Sequence, residues 1–203
     1  MAKNMQPIVK RCRALDISPA VMGYTKKSKS ESNKRNPGGQ RRRKKSEYAN
    51  QLNEKQKVKF VYGILEKQFH SYYEKAAKTP GITGEILLTT IERRLDNVVF
   101  RLGLARTRRE ARQMVTHAFF SVNGRTVNIP SYLISADDTI EVREKFKNND
   151  ALKLILSETE GRILPQWLTF DRDALTGKVV CLPKREDIDF PVQEHLIVEL
   201  YSK

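Results

Sequence analysis

Two cysteines in 203 residues, Cys12 and Cys181, are too few and too far apart to frame the chain with disulfides, and a reduced compartment is the simpler reading. The three histidines, His70, His117 and His195, share no ligand spacing with one another or with a cysteine, so no metal site is expected. No Walker loop and no GxGxxG motif is present, which removes the common phosphate-cradling cofactor folds, and no cofactor is expected. No apolar run approaches the roughly 20 residues that span a bilayer, and the start of the chain lacks the hydrophobic stretch of a signal peptide. A membrane is therefore not an expected partner. The sharpest scarcity is of acid at the N-terminal end, where residues 1–45 carry 2 Asp or Glu against 14 Lys or Arg.

The formal net charge is +14, yet the remaining residues hold 24 basic and 22 acidic side chains, so the excess sits almost wholly in that N-terminal arm. A strongly basic chain implies an acidic partner, with nucleic acid the leading candidate. The arm has few large apolar residues and is expected to order only against its partner. Its densest run is Arg41, Arg42, Arg43, Lys44 and Lys45, which reads as phosphate contacts or, alternatively, as a solvated charge block or localisation signal. A transit peptide is the other reading of a basic, partly Ser-rich start, but Pro37-Gly38-Gly39 and the lack of an amphipathic period favour a nucleic-acid-binding arm.

Past the arm the pattern turns helical. Val58, Val61 and Tyr62 share a face before Gly63, and Ile64 to Tyr73 continue as a second helix until Thr79-Pro80-Gly81 stops it. The aromatics at helical spacing read as core before they read as base-stacking platforms. Thr83 opens a third helix through Ile91 that is expected to run on into the most informative stretch, Arg93 to Gly124.

In that stretch Leu95, Val98, Val99 and Leu102 mark one buried helix face, and Arg93, Asn97 and Arg101 form a stripe beside it. After Gly103, Thr107 and Glu110 make a capping box that starts a second helix, with Arg108 and Arg109 in its first turn. A cation there costs roughly 0.3–1 kcal/mol unless something cancels it. A phosphate on the free N–H groups of the turn would do so and would recruit the arginines. Seven arginines from Arg93 to Arg112 face two acids, Asp96 and Glu110, so ion pairing is expected to leave most of them for a polyanion. Asn123-Gly124 between Phe119–Val122 and Arg125–Ile129 is a strong hairpin signal, because a type I′ turn needs positive φ at both central residues. Tyr132–Ile134 and Thr139–Val142 are further strand candidates. Ala151–Ser157 reads as a short helix, Leu168–Leu182 as strands around Thr176-Gly177, and Pro191 opens a last amphipathic segment.

No catalytic constellation assembles. Asp171, Asp173, Glu186, Asp187 and Asp189 lie in turn-rich sequence next to Arg172, Lys184 and Arg185, which suits surface charge pairing better than a divalent ion. The basic residues come from two helices and a hairpin tip rather than from one protruding recognition helix. That arrangement suits the shape of folded RNA better than a DNA major groove.

RLDNVVFRLGLARTRREARQMVTHAFFSVNG resembles the small RNA-binding module named after bacterial small-subunit ribosomal protein S-four. PGGQRRRKKSEYANQLNEKQKVKFVYGILEKQF, GRILPQWLTF and LPKREDIDFPVQEHLIVELYSK are similar to the arm, first helices and C-terminal part of the same family, of bacterial or organellar type. The resemblance implies an α+β protein: an all-helical domain, an inserted small α+β RNA-binding module of two helices plus a short antiparallel sheet, and an extended basic arm. It implies an arm over 1–45, a helical domain over 46–88 completed by 154–203, and a module over 89–153. It further implies a non-enzymatic, primary rRNA-binding protein on the cytoplasmic (or organellar) small subunit. Such a protein contacts a junction in the five-prime domain of the rRNA, lies beside ribosomal proteins S-five and S-three, and contributes to decoding accuracy through S-five. For members that repress their own message, mRNA is a further partner. The expected RNA contacts are the run from Arg41 to Lys45, then Tyr48, Lys55 and Gln56, then Arg93, Arg94, Asn97, Arg101, Arg106, Thr107, Arg108, Arg109, Arg112, Gln113 and His117, with Asn123 and Arg125 at the hairpin tip. Two departures stand out. Many relatives bind zinc through four N-terminal cysteines, of which only Cys12 remains, and the usual Pro-Gly-Gln-His-Gly of the arm reads Pro37-Gly38-Gly39-Gln40-Arg41.

Overall fold

A computed structural model of the chain describes residues 7–24 and 46–202; the run from Arg41 to Lys45 lies outside the described residues. The chain is α+β, built as two adjoining cores. One is helical: α1 (Ile8–Leu15), a 3-10 turn (Pro19–Met22), α2 (Glu47–Tyr62), α3 (Glu66–Lys78), α4 (Thr83–Glu92) and, from the far end of the sequence, a helix over Glu194–Ser202. Ser46 accepts the Ala49 N–H to open α2, and Gly63, with φ +64, closes it in the left-handed region that favours glycine. Val58, Val61, Phe69, Leu87, Leu88, Ile91 and Ile197 are all fully buried in this core, so the helix-spaced aromatic Phe69 is core rather than a base platform.

The N-terminal segment departs from the expectation that all of residues 1–45 needs a partner to order. Residues 8–22 fold onto α2, and Cys12, Leu15, Ile17 and Met22 join the helical core. Few as they are, these apolar residues need no core of their own, because the helical domain supplies the other half of the contact.

The second core lies under a sheet. It begins with α5 (Leu95–Arg101) and α6 (Arg108–Thr116), followed by β1 (Phe120–Val122), β2 (Arg125–Thr126) and β3 (Thr139–Val142). After α7 (Glu144–Lys147) and α8 (Asp150–Glu158) come β4 (Leu168–Asp171) and β5 (Thr176–Val179), and the helix over Glu194–Ser202 is therefore α9. The strands pair antiparallel in the order β2-β1-β3-β5-β4. Asn123 and Gly124 have φ +50 and +76, the two positive values that the hairpin turn demands. Tyr132–Ile134 makes only an isolated bridge, from Leu133 to Arg94, and no strand.

The C-terminal pair β4–β5 is not part of the helical domain. β5 pairs with β3, and Leu152, Ile155, Trp167, Leu168 and Val179 share a core with Val98, Val99 and Ile140. The sheet core thus runs to Val179 and the helical core resumes at Ile188, whereas the resemblance implies a change at 153/154. The reason is nonlocal: β3 needs a second partner on its open edge, and β5 supplies it. The reversal between β4 and β5 falls at 172–175, where Leu175 has φ +54, and not at Thr176-Gly177. Gly177 is instead a packing position, since a Cβ there would come within 2.5 Å of Leu102 Cδ1. Among the described residues no helix is long and apolar enough to cross a membrane.

Candidate nucleic-acid interface

The expected arginine stripe is broken at its root. α4 and α5 are separate helices: Arg93 closes the first, Arg94 turns extended with ψ 137, and the N–H groups of Leu95 and Asp96 donate to the carbonyls of Tyr132 and Pro130. Arg93 is half-buried and donates from Nε to the Ile134 carbonyl at 2.8 Å. Arg94 is fully buried, gripping both carboxylate oxygens of Asp96 at 3.0 and 2.7 Å and donating to the Tyr72 hydroxyl at 2.7 Å. Asn97 is buried and donates to the Glu92 carbonyl and carboxylate. Arg101 donates to Glu92 at 2.7 Å and to Asp189 at 2.8 Å, and Tyr62 adds its hydroxyl proton to Glu92. Burial disfavours the charged Arg101 guanidinium, but the two carboxylates outweigh it and raise its pKa.

Arg108 gives the clearest correction. Its guanidinium turns inward from the start of α6, donating to Asn97 Oδ1 at 2.8 Å and to the Val21 carbonyl at 2.6 Å. It lies 4.3 Å from the centroid of the Phe100 ring and 5.1 Å from that of Tyr62. Burial, and then the neighbouring Arg101, push its pKa down. Arg162, which the sequence did not single out, takes a second position 4.3 Å from the Phe100 centroid and donates to the carbonyls of Phe100, Ala105 and Arg106. Arg94, Asn97, Arg101 and Arg108 are thus internal ties and not surface phosphate contacts. Their partners include acids beyond the stretch from Arg93 to Arg112: Glu92, one residue before it, and Asp189, which is 88 residues from Arg101 in sequence.

What α6 turns to solvent is different. Arg109, Gln113 and His117 are exposed at four-residue spacing, so they line one face of the helix and its end. Arg106 is half exposed and shares Glu110 and Glu158. Thr107 Oγ1 accepts the Glu110 N–H, and Glu110 accepts the Arg106 N–H at 2.7 Å, a reciprocal cap that closes one residue earlier than the expected box. Arg112, at the flank, reaches the Gly63 carbonyl and comes within 3.7 Å of Asp96. At the hairpin tip Arg125 is exposed, while Asn123 is tied to Asp138 and to the Thr139 N–H, a structural role that fixes the tip. On the helical core Tyr48 is exposed, Gln56 is half-buried, and Lys55 is engaged with Glu66 and the Tyr201 ring. Of the cations that the sequence singles out among the described residues, the exposed ones are Arg106 and Arg109 at the start of α6 and Arg125 at the hairpin tip.

No group of His, Cys, Asp and Glu among the described residues could hold a metal ion; Cys12 is buried and Cys181 exposed. Asp189 and Asp187 are taken up by Arg101 and by the Lys184 N–H, and Asp171 accepts from its own turn.

Two family models abut along residues 3–140. One described as the ribosomal protein S4/S9 N-terminal domain matches residues 3–92, and the S4 domain matches residues 93–140. The junction between them falls at the break between α4 and α5. The small ribosomal subunit protein uS4 of Lachnospira eligens is 56% identical over 203 residues, covering 100% of both chains. The proteins of that name from Agathobacter rectalis and Caldicellulosiruptor saccharolyticus are 54% and 52% identical, again over 100% of both chains. With identity this high from end to end, the chain belongs to the small-subunit ribosomal protein uS4 family.

Proposed function

We propose that this chain is a non-enzymatic structural constituent of the small ribosomal subunit that binds rRNA through the outer face of α6 and the tip of the β1–β2 hairpin. The observation that carries the surface is the sorting of the arginines. Arg94, Arg101 and Arg108 are consumed inside, whereas Arg109 and Arg125 stand exposed with no ion pair among the described residues. A cation kept at the positive end of a helix without a partner suits a phosphate held by the same helix end. Gln113, His117 and the half-exposed Arg106 and Arg112 extend that face, and the basic run from Arg41 to Lys45 adds contacts from the arm.

The finer reading is a junction in the five-prime domain of the rRNA, bound early in assembly in the cytoplasm. Ribosomal proteins S-five and S-three are its neighbours there, with an influence on decoding accuracy through S-five and with mRNA as a further ligand. Its support is the family membership and the several separate basic surfaces, which together fit the shape of a folded junction better than one duplex. The test is a titration of a five-prime-domain rRNA transcript at graded salt, alongside co-sedimentation with small subunits. Binding with a steep negative slope of log K against log salt is expected. Failure to sediment with the subunit and a flat slope would overturn the proposal.

A further inference from the structure

At the far end of β1 from the hairpin tip, two phenylalanines from different elements stack face to face. The rings of Phe119 and Phe146 have centroids 3.7 Å apart and planes 5° apart, and both rings stay partly open to solvent. The backbone under Phe119 is held firmly. Ala118 adopts φ +56 after α6, and the N–H groups of Ala118 and Phe119 donate to the carbonyls of Val115 and Met114, a double closure of the helix end. Arg143 locks the same point, its N–H on the Phe119 carbonyl and its guanidinium on the Ala118 carbonyl, both at 3.0 Å.

A parallel aromatic sandwich is not what two rings choose for their own sake, since their quadrupoles prefer offset or edge-on contacts. The surroundings are charged and mixed, with Arg143, Lys145 and Lys147 beside Glu141 and Glu144. Lys145 places its ammonium 4.6 Å from the centroid of Phe146, so a group reaching in from solvent can cover that ring. Glu144 is paired with Lys147 at 2.6 Å, and Glu141 is the remaining acid nearby. A shallow groove of about 390 Å³, lined by Arg143 and Lys145 and also by Glu141 and Glu144, runs to Gly124 at the hairpin tip. His117, exposed at the end of α6, precedes the pair by two residues. The patch is thus continuous at both ends with the face assigned above to RNA.

We propose that the Phe119–Phe146 pair is a stacking platform for one unpaired base of the RNA partner, with Arg143, Lys145 and Lys147 taking the adjoining phosphates. In the free protein Lys145 covers the ring by cation–π attraction. When a base takes that place the ammonium turns to the base's own phosphate, so both favourable contacts of the cation are used in sequence. This rests on the RNA-binding reading of α6 and deepens it: the α6 cations supply charge, and the aromatic pair supplies a contact that salt does not screen.

The test uses the full chain and a transcript of the five-prime domain of small-subunit rRNA. Phe119→Leu and Phe146→Leu keep apolar bulk against the core, and their thermal melts report folding. Each is expected to lose about fivefold to a hundredfold in affinity, the range for one stacked base, with the salt slope unchanged. Ultraviolet cross-linking of the unmodified protein, followed by peptide mapping, is expected to place a nucleotide on the peptide carrying Phe119 or Phe146. Cross-links confined to α6 and the hairpin, together with unaltered affinity of the variants, would overturn the platform while leaving the RNA reading intact. Normal rRNA affinity with loss of the variants from assembled subunits would assign the patch to a protein neighbour and would also overturn it. No binding of the transcript by the unmodified protein would remove the RNA reading, and the platform with it.

Discussion

Arg108 and Arg109 are neighbours in sequence and carry the same side chain, yet opposite fates are expected for their variants. Replacing Arg108 by Met keeps the length of the chain and removes the charge. It orphans Asn97 Oδ1 and the Val21 carbonyl, now bonded at 2.8 and 2.6 Å, at about 1–3 kcal/mol each. It also removes the guanidinium from the rings of Phe100 and Tyr62. Part of this is offset, because burial and the nearby Arg101 already disfavour the charged guanidinium. The net expectation is a loss of about 2–4 kcal/mol, a fall in Tm of roughly 5–15 °C for a chain of this size. Hydrogen exchange should quicken first around Val21 and Met22, which Arg108 tethers. Arg109→Glu is exposed, should change stability by no more than about 0.5 kcal/mol, and even suits the helix start. It should weaken rRNA binding and lower the salt slope by about 0.9 for each phosphate contact removed. Differential scanning calorimetry and salt-graded RNA titration on both variants decide the matter. If Arg108→Met melts like the parent and binds RNA poorly, the inward placement of Arg108 is wrong and the surface reading of the helix start returns.

Three further outcomes are expected. Burial raises the Glu66 carboxyl, but hydrogen bonds from Lys59, Tyr201 and Lys55 outweigh it and bring the pKa from the usual 4.5 to about 2. Its folded pKa is depressed, so its stabilisation is complete above about pH 4.5 and is lost as pH falls towards 2; Glu66→Gln should flatten the acid-unfolding curve within that window and nowhere else. Gly23 has φ +82 and a Cβ there would lie 2.0 Å from the Arg106 carbonyl oxygen, so Gly23→Ala should release residues 18–24 to limited proteolysis before the sheet core melts. Ala118→Gly relieves a left-handed alanine worth about 1–2 kcal/mol, less the greater chain entropy of glycine when unfolded. A net gain of about 0.5–1 kcal/mol should appear as a raised denaturation midpoint with unchanged m-value, and an unchanged midpoint would count against the strain.

Legibility from sequence followed the range of the interaction. The cap at Thr107, the stop at Gly63 and the Asn123-Gly124 hairpin depend on neighbours within a few residues, and residue chemistry alone reads them. The fate of the arginines does not. Arg101 meets Asp189, and Arg108 meets the Val21 carbonyl 87 residues away, so a census of acids in the same stretch undercounts the partners. The joining of β5 to β3 is hidden for the same reason, because pairing across a long connection leaves no local trace. The folding of residues 8–22 was obscured by composition: a basic segment whose apolar side chains form no core alone reads as disordered until α2 is there to receive them. Of the candidate site, Arg109, Gln113, His117 and Arg125 keep the exposure that contact requires, and the buried four do not.

On the proposed function, the buried arginines are expected to bear on binding through position. Arg101 ties α5 to Glu92 of the helical core and to Asp189, and Arg108 ties α6 to the 3-10 turn over Pro19–Met22. Gly23 packs directly on the carbonyl of Arg106, beside the start of α6, and Arg41 to Lys45 follow it in sequence. On the proposed function, the cations of 41–45 and the helix face act on one RNA, so contact by either raises the effective concentration of the other. Removing the Val21 tie while sparing the outer cations separates the two effects. Arg108→Met, measured well below its melting temperature, should lose affinity through the arm alone. Deleting residues 25–45 should then make the parent and the variant bind alike. If the difference in affinity persists after that deletion, Arg108 orients α6 itself rather than the arm, and the tether argument fails.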